Sequence, residues 1–165
     1  MLIAYIISNL AAVILALCSW KWPLASRFLY ALLFGWACWF NLLTSIHTPE
    51  VYLSYAEGAL LPVYKTFITG YFAAHITLFV SFIAVSQGLI AISLLLKGIL
   101  FKTGVIGATI FLVSIAPLGI GSAFPASLIM AAGMWLLLKN KNSRYLWQAP
   151  VQAAISPKIP ERKLV

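Results

Sequence analysis

Long apolar segments separated by small groups of basic residues constrain this chain more than any other feature of its sequence. A helix of about 20 apolar residues crosses the hydrocarbon core of a membrane, where no water is available to satisfy the backbone. Cutting the chain at its charged residues leaves segments of this kind along most of its length. The pattern predicts an all-α fold, an integral membrane helical bundle.

Composition supports the same class of protein. Hydrophobic residues make up 63% of the chain and charged residues 8%, and the mean hydropathy is +1.01. Soluble domains carry roughly 25% charged residues, so an ordinary soluble fold is excluded. Nothing in the 165 residues marks a separate soluble domain. We therefore expect one transmembrane bundle over residues 1–138 and a basic cytoplasmic tail over residues 139–165.

Five transmembrane helices are predicted. Residues 103–138 would be about 54 Å long as one helix, which exceeds the thickness of the membrane. The sequence PLGIGSAFP in their middle is rich in turn residues, so two shorter helices joined by a tight hairpin are expected there. The predicted spans are 2–20, 28–46, 70–96, 103–118 and 122–138, with an outer loop over 47–69.

The distribution of basic residues predicts the orientation. Lys and Arg in short loops stay on the cytoplasmic side of a membrane. With five crossings and the N-terminus outside, ten of the eleven basic residues lie inside, and only Lys65 lies outside. The net charge of +8 therefore indicates membrane topology and does not indicate nucleic-acid binding. We expect a multi-pass protein of the cell membrane, which is the inner membrane in a Gram-negative bacterium.

Basic residues at the start of the tail predict contact with lipid headgroups. Lys139, Lys141 and Arg144 follow the last predicted span directly and suit an anionic membrane surface. An alternative is that the tail docks on a partner protein.

The outer loop contains a pattern typical of a helix start. Thr48 can serve as the N-cap, Pro49 fits the first turn, and Glu50 complements the positive end of the helix dipole. Gly58 can end such a helix. Several tyrosines in and around the loop suit a membrane interface, so a short interfacial helix is expected.

Cysteine usage and motifs exclude several catalytic classes. Cys18 and Cys38 are predicted to differ in depth by about 12 Å, which is too far for a disulfide, so both should be free thiols. The chain has no phosphate loop, no G-x-S-x-G, no H-E-x-x-H and no Asp. No catalytic residue is identified, and no metal site is predicted.

The chain from Arg27 to Leu138 resembles the DoxX-like family of small four-helix membrane proteins. The resemblance rests on three segments, SRFLYALLFGWACWF, FIAVSQGLIAISLLLKG and FKTGVIGATIFL. It implies a four-helix bundle, here preceded by an additional helix, and an association with quinone-linked respiratory enzymes or redox-stress systems. The chain departs from the family's pattern at Gln87, where an acidic residue next to Gly88 is expected.

Polar residues inside the predicted spans suggest a ligand pocket in the outer leaflet. Counting from the outer surface places Asn9 about 12 Å deep, and Asn41 and His75 about 8 Å deep. His47 and Glu57 lie at the boundary above them. Buried polar groups often mark function, but Asn and His can also simply hold helices together through hydrogen bonds. Two histidines on neighbouring helices could instead ligate a haem or another metal centre.

Two functional hypotheses follow. In the first, the protein is a redox-associated subunit that binds a quinone or another lipophilic molecule in this pocket, with His75 or Glu57 exchanging protons. In the second, it is a non-catalytic partner or assembly subunit of a membrane complex, or a homo-oligomer. Neither hypothesis makes the chain an enzyme by itself. Transport of small solutes is disfavoured, because charged residues at the membrane midplane are lacking.

Overall fold

The computed structural model describes residues 2–122 and 124–139, and every regular element in these ranges is helical. The α-helices are α1 (Leu2–Lys21), α2 (Pro23–His47), α3 (Tyr55–Gly58), α4 (Pro62–Phe67), α5 (Ile76–Leu95), α6 (Gly98–Ile115) and α7 (Ala126–Lys139). Three tighter or wider segments complete the fold, the 3₁₀ segments Pro49–Ser54 and Ala116–Ser122 and the π-helical turn Ile68–Phe72. The predicted all-α class is therefore confirmed.

Proline and glycine set several of the helix boundaries. Pro23 and Pro62 lie in the first turn of α2 and α4. A backbone N–H in the first turn has no partner within the helix, so a proline there costs no hydrogen bond. Gly98 adopts a φ of 65° in the short turn between α5 and α6. This left-handed conformation lets the chain reverse within two residues, and it carries no penalty for glycine.

The five long helices close into a ring. α2 packs against α5, α5 against α6, α6 against α7, α7 against α1, and α1 packs back against α2. The core inside the ring comes from apolar side chains of α2, α5, α6 and α7, with Tyr30, Phe34, Leu94, Val105 and Met134 among its most buried members. α1 closes the ring between α2 and α7.

Large apolar side chains cover the outside of the ring. Ile99 is 77% exposed, Phe82 73% and Trp39 65%. Such a surface suits lipid, since a soluble protein rarely exposes contiguous apolar patches of this extent. The segments Pro23–His47, Ile76–Leu95 and Gly98–Gly119 are long and apolar enough to cross a membrane, and the apolar stretches Tyr5–Lys21 and Ala126–Lys139 are shorter.

Five of the six basic residues that the structure describes collect at one end of the ring. α1 ends there, α2 begins there, α5 turns into α6 there, and α7 ends there. This basic end carries Lys21, Arg27, Lys97, Lys102 and Lys139. The opposite end, which we call the loop end, carries the connection between α2 and α5 with its two glutamates, and Lys65.

α5 is shorter than the predicted third span over residues 70–96. The helix begins at Ile76, and the π-helical turn Ile68–Phe72 precedes it. His75 separates the two with a φ of −138° and a ψ of 31°, which are not helical angles. The apolar sequence continues across this break, so hydropathy alone could not reveal it.

The loop end begins with helical backbone from Pro49 to Gly58, where the sequence predicted a short helix. Its first part is a 3₁₀ segment that contacts α2 and α5, and α3 then packs against Ala116–Ser122. The Thr48 side chain makes no capping hydrogen bond, contrary to the expectation. Gly58 is the last residue of α3, and the extended Ala59 ends the helix.

Both cysteines, Cys18 and Cys38, are free thiols, as predicted.

Close packing of α5 on α6 depends on Gly104. A Cβ at Gly104 would lie 2.5 Å from Ser93 Cβ, whereas a Cβ at Gly107 would lie no closer than 3.7 Å, to Ile90 Cγ1. We expect Gly104→Ala to lower the free energy of unfolding by about 1–3 kcal/mol, the usual cost of overpacking. Gly107→Ala is the matched control and should be neutral or slightly stabilising, since alanine favours helix. Denaturant unfolding in mixed micelles would compare the two, and equal losses would contradict this account.

Candidate functional site

A cavity of about 440 Å³ lies inside the ring at its loop end. Helices α2, α5, α6 and α7 form its wall, and the segment from Tyr52 to Phe72 forms its roof. Aliphatic and aromatic side chains make up most of the lining. The polar lining residues are Asn41, Tyr52, Tyr55, Tyr64, Gln87 and Ser114.

Helical periodicity brings the wall residues to one face of each helix. On α2 the cavity is lined by Leu33, Phe34, Ala37 and Asn41, which recur at helical spacing. On α5 the residues Val80, Ile83 and Gln87 do the same. Gln87 therefore faces the cavity because it continues the inward stripe of an otherwise apolar helix.

The roof is held by aromatic packing and by hydrogen bonds to the wall. The Tyr64 hydroxyl donates to the Ser114 carbonyl oxygen at 2.9 Å and so ties α4 to α6. The Phe67 and Phe72 rings lie 5.6 Å and 5.8 Å from the Phe79 ring, measured between centroids. Phe67 and Ser114 are themselves exposed, so the cavity reaches the surface between α4 and α6.

A chain of hydrogen bonds crosses the cavity wall from the roof to α5. The Tyr52 hydroxyl donates to Asn41 Oδ1 at 2.8 Å. Asn41 Nδ2 then donates to Gln87 Oε1, also at 2.8 Å. Gln87 is 4% exposed, so this carboxamide is buried in the apolar ring. The chain links the roof, α2 and α5 through three neutral side chains.

The hydroxyls of Tyr52 and Tyr55 in the roof stay protonated. Burial raises the pKa of Tyr55 above its ordinary value. Burial also raises the pKa of Tyr52, while a hydrogen bond with the Thr44 side chain lowers it in part. Both hydroxyls are therefore hydrogen-bond donors across the ordinary pH range. Within the described ranges, the Tyr55 hydroxyl has no hydrogen-bond partner, so it can serve a ligand.

Of the five residues predicted for the pocket, Asn41 lines the cavity. The side chains of His47, Glu57 and His75 are exposed at the loop end and do not line it. Asn9 lies on α1, outside this wall, where its Nδ2 donates to the Tyr5 carbonyl oxygen at 2.9 Å. The structure thus does not bring these five side chains together around the cavity.

His75 lies at the break before α5. Its Nδ1 is 3.2 Å from the Tyr71 carbonyl oxygen, and its ring is 4.8 Å from the Tyr71 ring. Over residues 2–122 and 124–139, no three side chains of His, Cys, Asp or Glu come together as metal ligands would. The contacts of His75 are those of a residue at a helix start.

At the basic end, Lys139 is the exposed last residue of α7. Lys141 and Arg144, which are predicted to contact lipid headgroups with it, lie outside the described residues. The prediction for the three residues stands as an expectation.

Sequence reasoning did not include Gln87, Tyr52 or Tyr55 among the pocket residues. A signal was present for Gln87, because a carboxamide in the middle of an apolar span is costly unless it has a hydrogen-bond partner. The tyrosines were expected at the membrane interface. A ring at the interface is partly buried, as a ring in the cavity roof is, so the sequence did not distinguish these two positions.

Comparison of the chain with known protein families, with curated proteins and with solved structures finds no match. The cavity and its hydrogen-bonded wall are therefore the basis for any functional assignment.

Proposed function

We propose that this protein binds a lipid-soluble small molecule with a polar head group in the cavity at the loop end. A quinone is the ligand that we favour. The observation that carries the proposal is an apolar cavity of about 440 Å³ whose lining includes Gln87 and Tyr55. Gln87 Nε2 and the Tyr55 hydroxyl have no hydrogen-bond partner among the described residues, whereas Gln87 Oε1 accepts from Asn41.

The size and chemistry of the cavity support a ligand of this class. Small-molecule sites commonly enclose about 300–1,000 Å³, with mostly apolar linings and a few polar groups that orient the ligand. A quinone has a flat apolar ring with carbonyl oxygens and a lipid-soluble tail. The ring suits the aromatic lining, the carbonyls suit the neutral donors, and the tail can leave through the opening beside Phe67.

The lining favours binding over chemistry on the ligand. Its polar side chains are amides and hydroxyls, which hold no charge at ordinary pH. We therefore assign electron transfer to a partner enzyme in the membrane and describe this protein as a redox-associated subunit. His75 and Glu57 are exposed at the loop end, and no contact with the cavity supports a direct role for them.

We further propose that all five long helices cross the membrane, with the loop end outside. Five of the six described basic residues lie at the opposite end, which supports this orientation, since such residues stay on the cytoplasmic side. The same arrangement agrees with the resemblance to the DoxX-like family, to which α1 is an addition. A cell membrane location follows, with Lys139, Lys141 and Arg144 at the inner headgroups.

Filling the cavity should block binding. Ala37 lines the cavity from α2, so we expect Ala37→Phe to weaken binding of a decyl-benzoquinone by about tenfold or more, because overpacking costs about 1–3 kcal/mol. Ala25→Phe is the matched control on the same helix, since Ala25 is exposed and lies outside the cavity. Binding would be measured by tryptophan quenching in nanodiscs, corrected with empty nanodiscs.

Native mass spectrometry of the protein purified in mild detergent would identify molecules that copurify. Retained quinone that is lost in Ala37→Phe would support the proposal. Equal binding by wild type, Ala37→Phe and Ala25→Phe would reject the cavity as the site. A stoichiometric membrane protein recovered in place of a small molecule would favour the partner or assembly role instead.

A further inference from the structure

We propose that Gln87 is the hydrogen-bond donor that determines the specificity of this cavity, and that it selects lipid-soluble ligands with a carbonyl oxygen. The inference rests on the proposed function, because it assumes that the cavity binds a ligand. It goes further by naming the residue that recognises the ligand and the chemical group that is recognised.

The direction of the hydrogen-bond chain begins at Tyr52. The Tyr52 hydroxyl donates to Asn41 Oδ1, 2.8 Å away. An amide oxygen can only accept, so the proton of this hydrogen bond comes from Tyr52.

The direction then passes through two carboxamides. A carboxamide has an oxygen that only accepts and a nitrogen that only donates. Because Asn41 Oδ1 accepts from Tyr52, its Nδ2 is the atom that faces Gln87, and it meets Gln87 Oε1 at 2.8 Å. Gln87 is thereby fixed with its oxygen toward α2 and its nitrogen on the other side.

The nitrogen of Gln87 is the unused end of this chain. Gln87 lines the cavity and is 4% exposed. Its Nε2 has no hydrogen-bond partner in residues 2–122 or 124–139, although it carries two protons. At the cavity wall this donor is available to a ligand acceptor, which would supply the hydrogen bond that the protein does not. The chain also polarises the amide, which strengthens it as a donor.

The donor nitrogen determines which ligands gain a hydrogen bond in the cavity. A carbonyl oxygen of a quinone, ketone or ester accepts from Nε2 and brings no proton of its own. A hydroxyl group, as in a hydroquinone, can accept as well, but its own proton then requires an acceptor that Nε2 cannot provide. A hydrocarbon gains nothing and leaves the donor unsatisfied. A quinone should therefore bind more tightly in its oxidised form than in its reduced form.

A simpler role for Gln87 is to hold α5 against α2 through Asn41, so the test must separate recognition from packing. Four proteins in nanodiscs would be compared, namely wild type, Gln87→Leu, the double variant Asn41→Leu/Gln87→Leu, and Ser86→Ala. The double variant leaves neither carboxamide without its partner. The Tyr52 hydroxyl loses its acceptor Asn41 Oδ1, but Tyr52 is half-buried and can bond to water, so stability should stay close to that of wild type. Ser86→Ala is the matched control, because Ser86 is the neighbour on α5 and, among the described residues, bonds to the Phe82 carbonyl oxygen of its own helix.

The probes are a decyl-benzoquinone, the corresponding decyl-hydroquinone under reducing conditions, and decyl-benzene. We expect the dissociation constant of the quinone to rise about tenfold in Gln87→Leu and in the double variant, and to stay unchanged in Ser86→Ala. Preference for the quinone over the other two probes should disappear with Gln87. Infrared difference spectra should show the carbonyl band of the bound quinone at lower frequency than in lipid, and Gln87→Leu should abolish that shift.

The outcomes distinguish this inference from the function on which it rests. If wild type binds the quinone but the double variant binds it equally and the carbonyl band does not move, Gln87 is a packing residue and the inference is wrong, while the cavity remains a binding site. If wild type binds none of the three probes, the proposed function fails and the inference fails with it.

Discussion

Gly119→Ala should lower the free energy of unfolding by about 3 kcal/mol or more. Gly119 has a φ of 74° and a ψ of −143°, a conformation that is almost restricted to glycine. A Cβ at this position would also lie 2.1 Å from the Gly58 carbonyl oxygen, which is a backbone atom and cannot move aside as a flexible side chain could. Strain of about 1–3 kcal/mol and the displacement of α3 would therefore act together.

Gly70→Ala is the matched control for this prediction. A Cβ at Gly70 has no neighbour within 4 Å, and its φ is not positive, so we expect a change within about 0.5 kcal/mol. Unfolding midpoints in mixed micelles would be measured for both variants. A stability loss in Gly70→Ala as large as that in Gly119→Ala would contradict the account.

Gly119 also matters for the cavity. The 3₁₀ segment that contains it meets α3, and the Leu60 amide donates to the Pro117 carbonyl oxygen at 2.8 Å. Tyr55 and Leu118, one from each side of this contact, both line the cavity. Gly119→Ala should therefore weaken quinone binding in the fraction that remains folded, in addition to its effect on stability.

Much of the fold could be predicted from the sequence because its signals are local. Apolar length predicted the helices, and the turn-rich segment after Ile115 marked an end that the structure also has. The break at His75 could not be predicted, since the residues on both sides are apolar and helix-compatible. The rings of Phe67 and Phe72, which precede the break, pack on Phe79, which follows it, and such tertiary contacts are not visible in the sequence.

The site could be predicted only in part, because the depth of a residue in the membrane does not say which way its side chain faces. Counting residues gave Asn41 and His75 a similar depth, but successive residues turn by about 100° around a helix, so depth does not determine the facing. Asn41 faces the cavity and His75 faces outward. The direction in which a side chain faces depends on which helices are neighbours. The order of the five long helices around the ring is a tertiary property, so the sequence pattern did not reveal it.

Arg27 at the basic end is a second residue whose surroundings could not be predicted from its position in the sequence. Its charge predicted a residue on the cytoplasmic side, just outside the second span, yet its side chain is 2% exposed. Nε and Nη2 both donate to the Leu94 carbonyl oxygen, at 3.1 Å and 3.0 Å, and Nη2 also donates to the Leu96 carbonyl oxygen. The guanidinium carbon lies 4.1 Å from the centre of the Phe101 ring. Arg27 thus caps the last turn of α5 and ties α2 to α5 and α6.

Removing this cap should be costly. The last carbonyls of a helix lack intrahelical hydrogen-bond partners and carry partial negative charge. A buried cation there donates hydrogen bonds to these carbonyls and balances their charge. We expect Arg27→Met, which preserves much of the apolar stem, to lower the free energy of unfolding by about 3 kcal/mol, since charge-assisted hydrogen bonds and a cation–π contact are both lost. Arg27→Lys should recover only part of this loss, because an ammonium lacks the planar fork that reaches two carbonyls.

Lys102→Met is the matched control for Arg27→Met, because Lys102 lies on α6 at the same end and is exposed. Its loss should stay within about 0.5 kcal/mol. Denaturant titration in mixed micelles gives the stabilities, and quinone titration under native conditions gives a second measure.

Arg27 lies at the end of the ring opposite the cavity, so folded Arg27→Met should bind the quinone with unchanged affinity. Equal stability losses in Arg27→Met and Lys102→Met would show that the buried cap contributes nothing beyond a surface charge. A change in quinone affinity would instead show that the two ends of the ring are coupled.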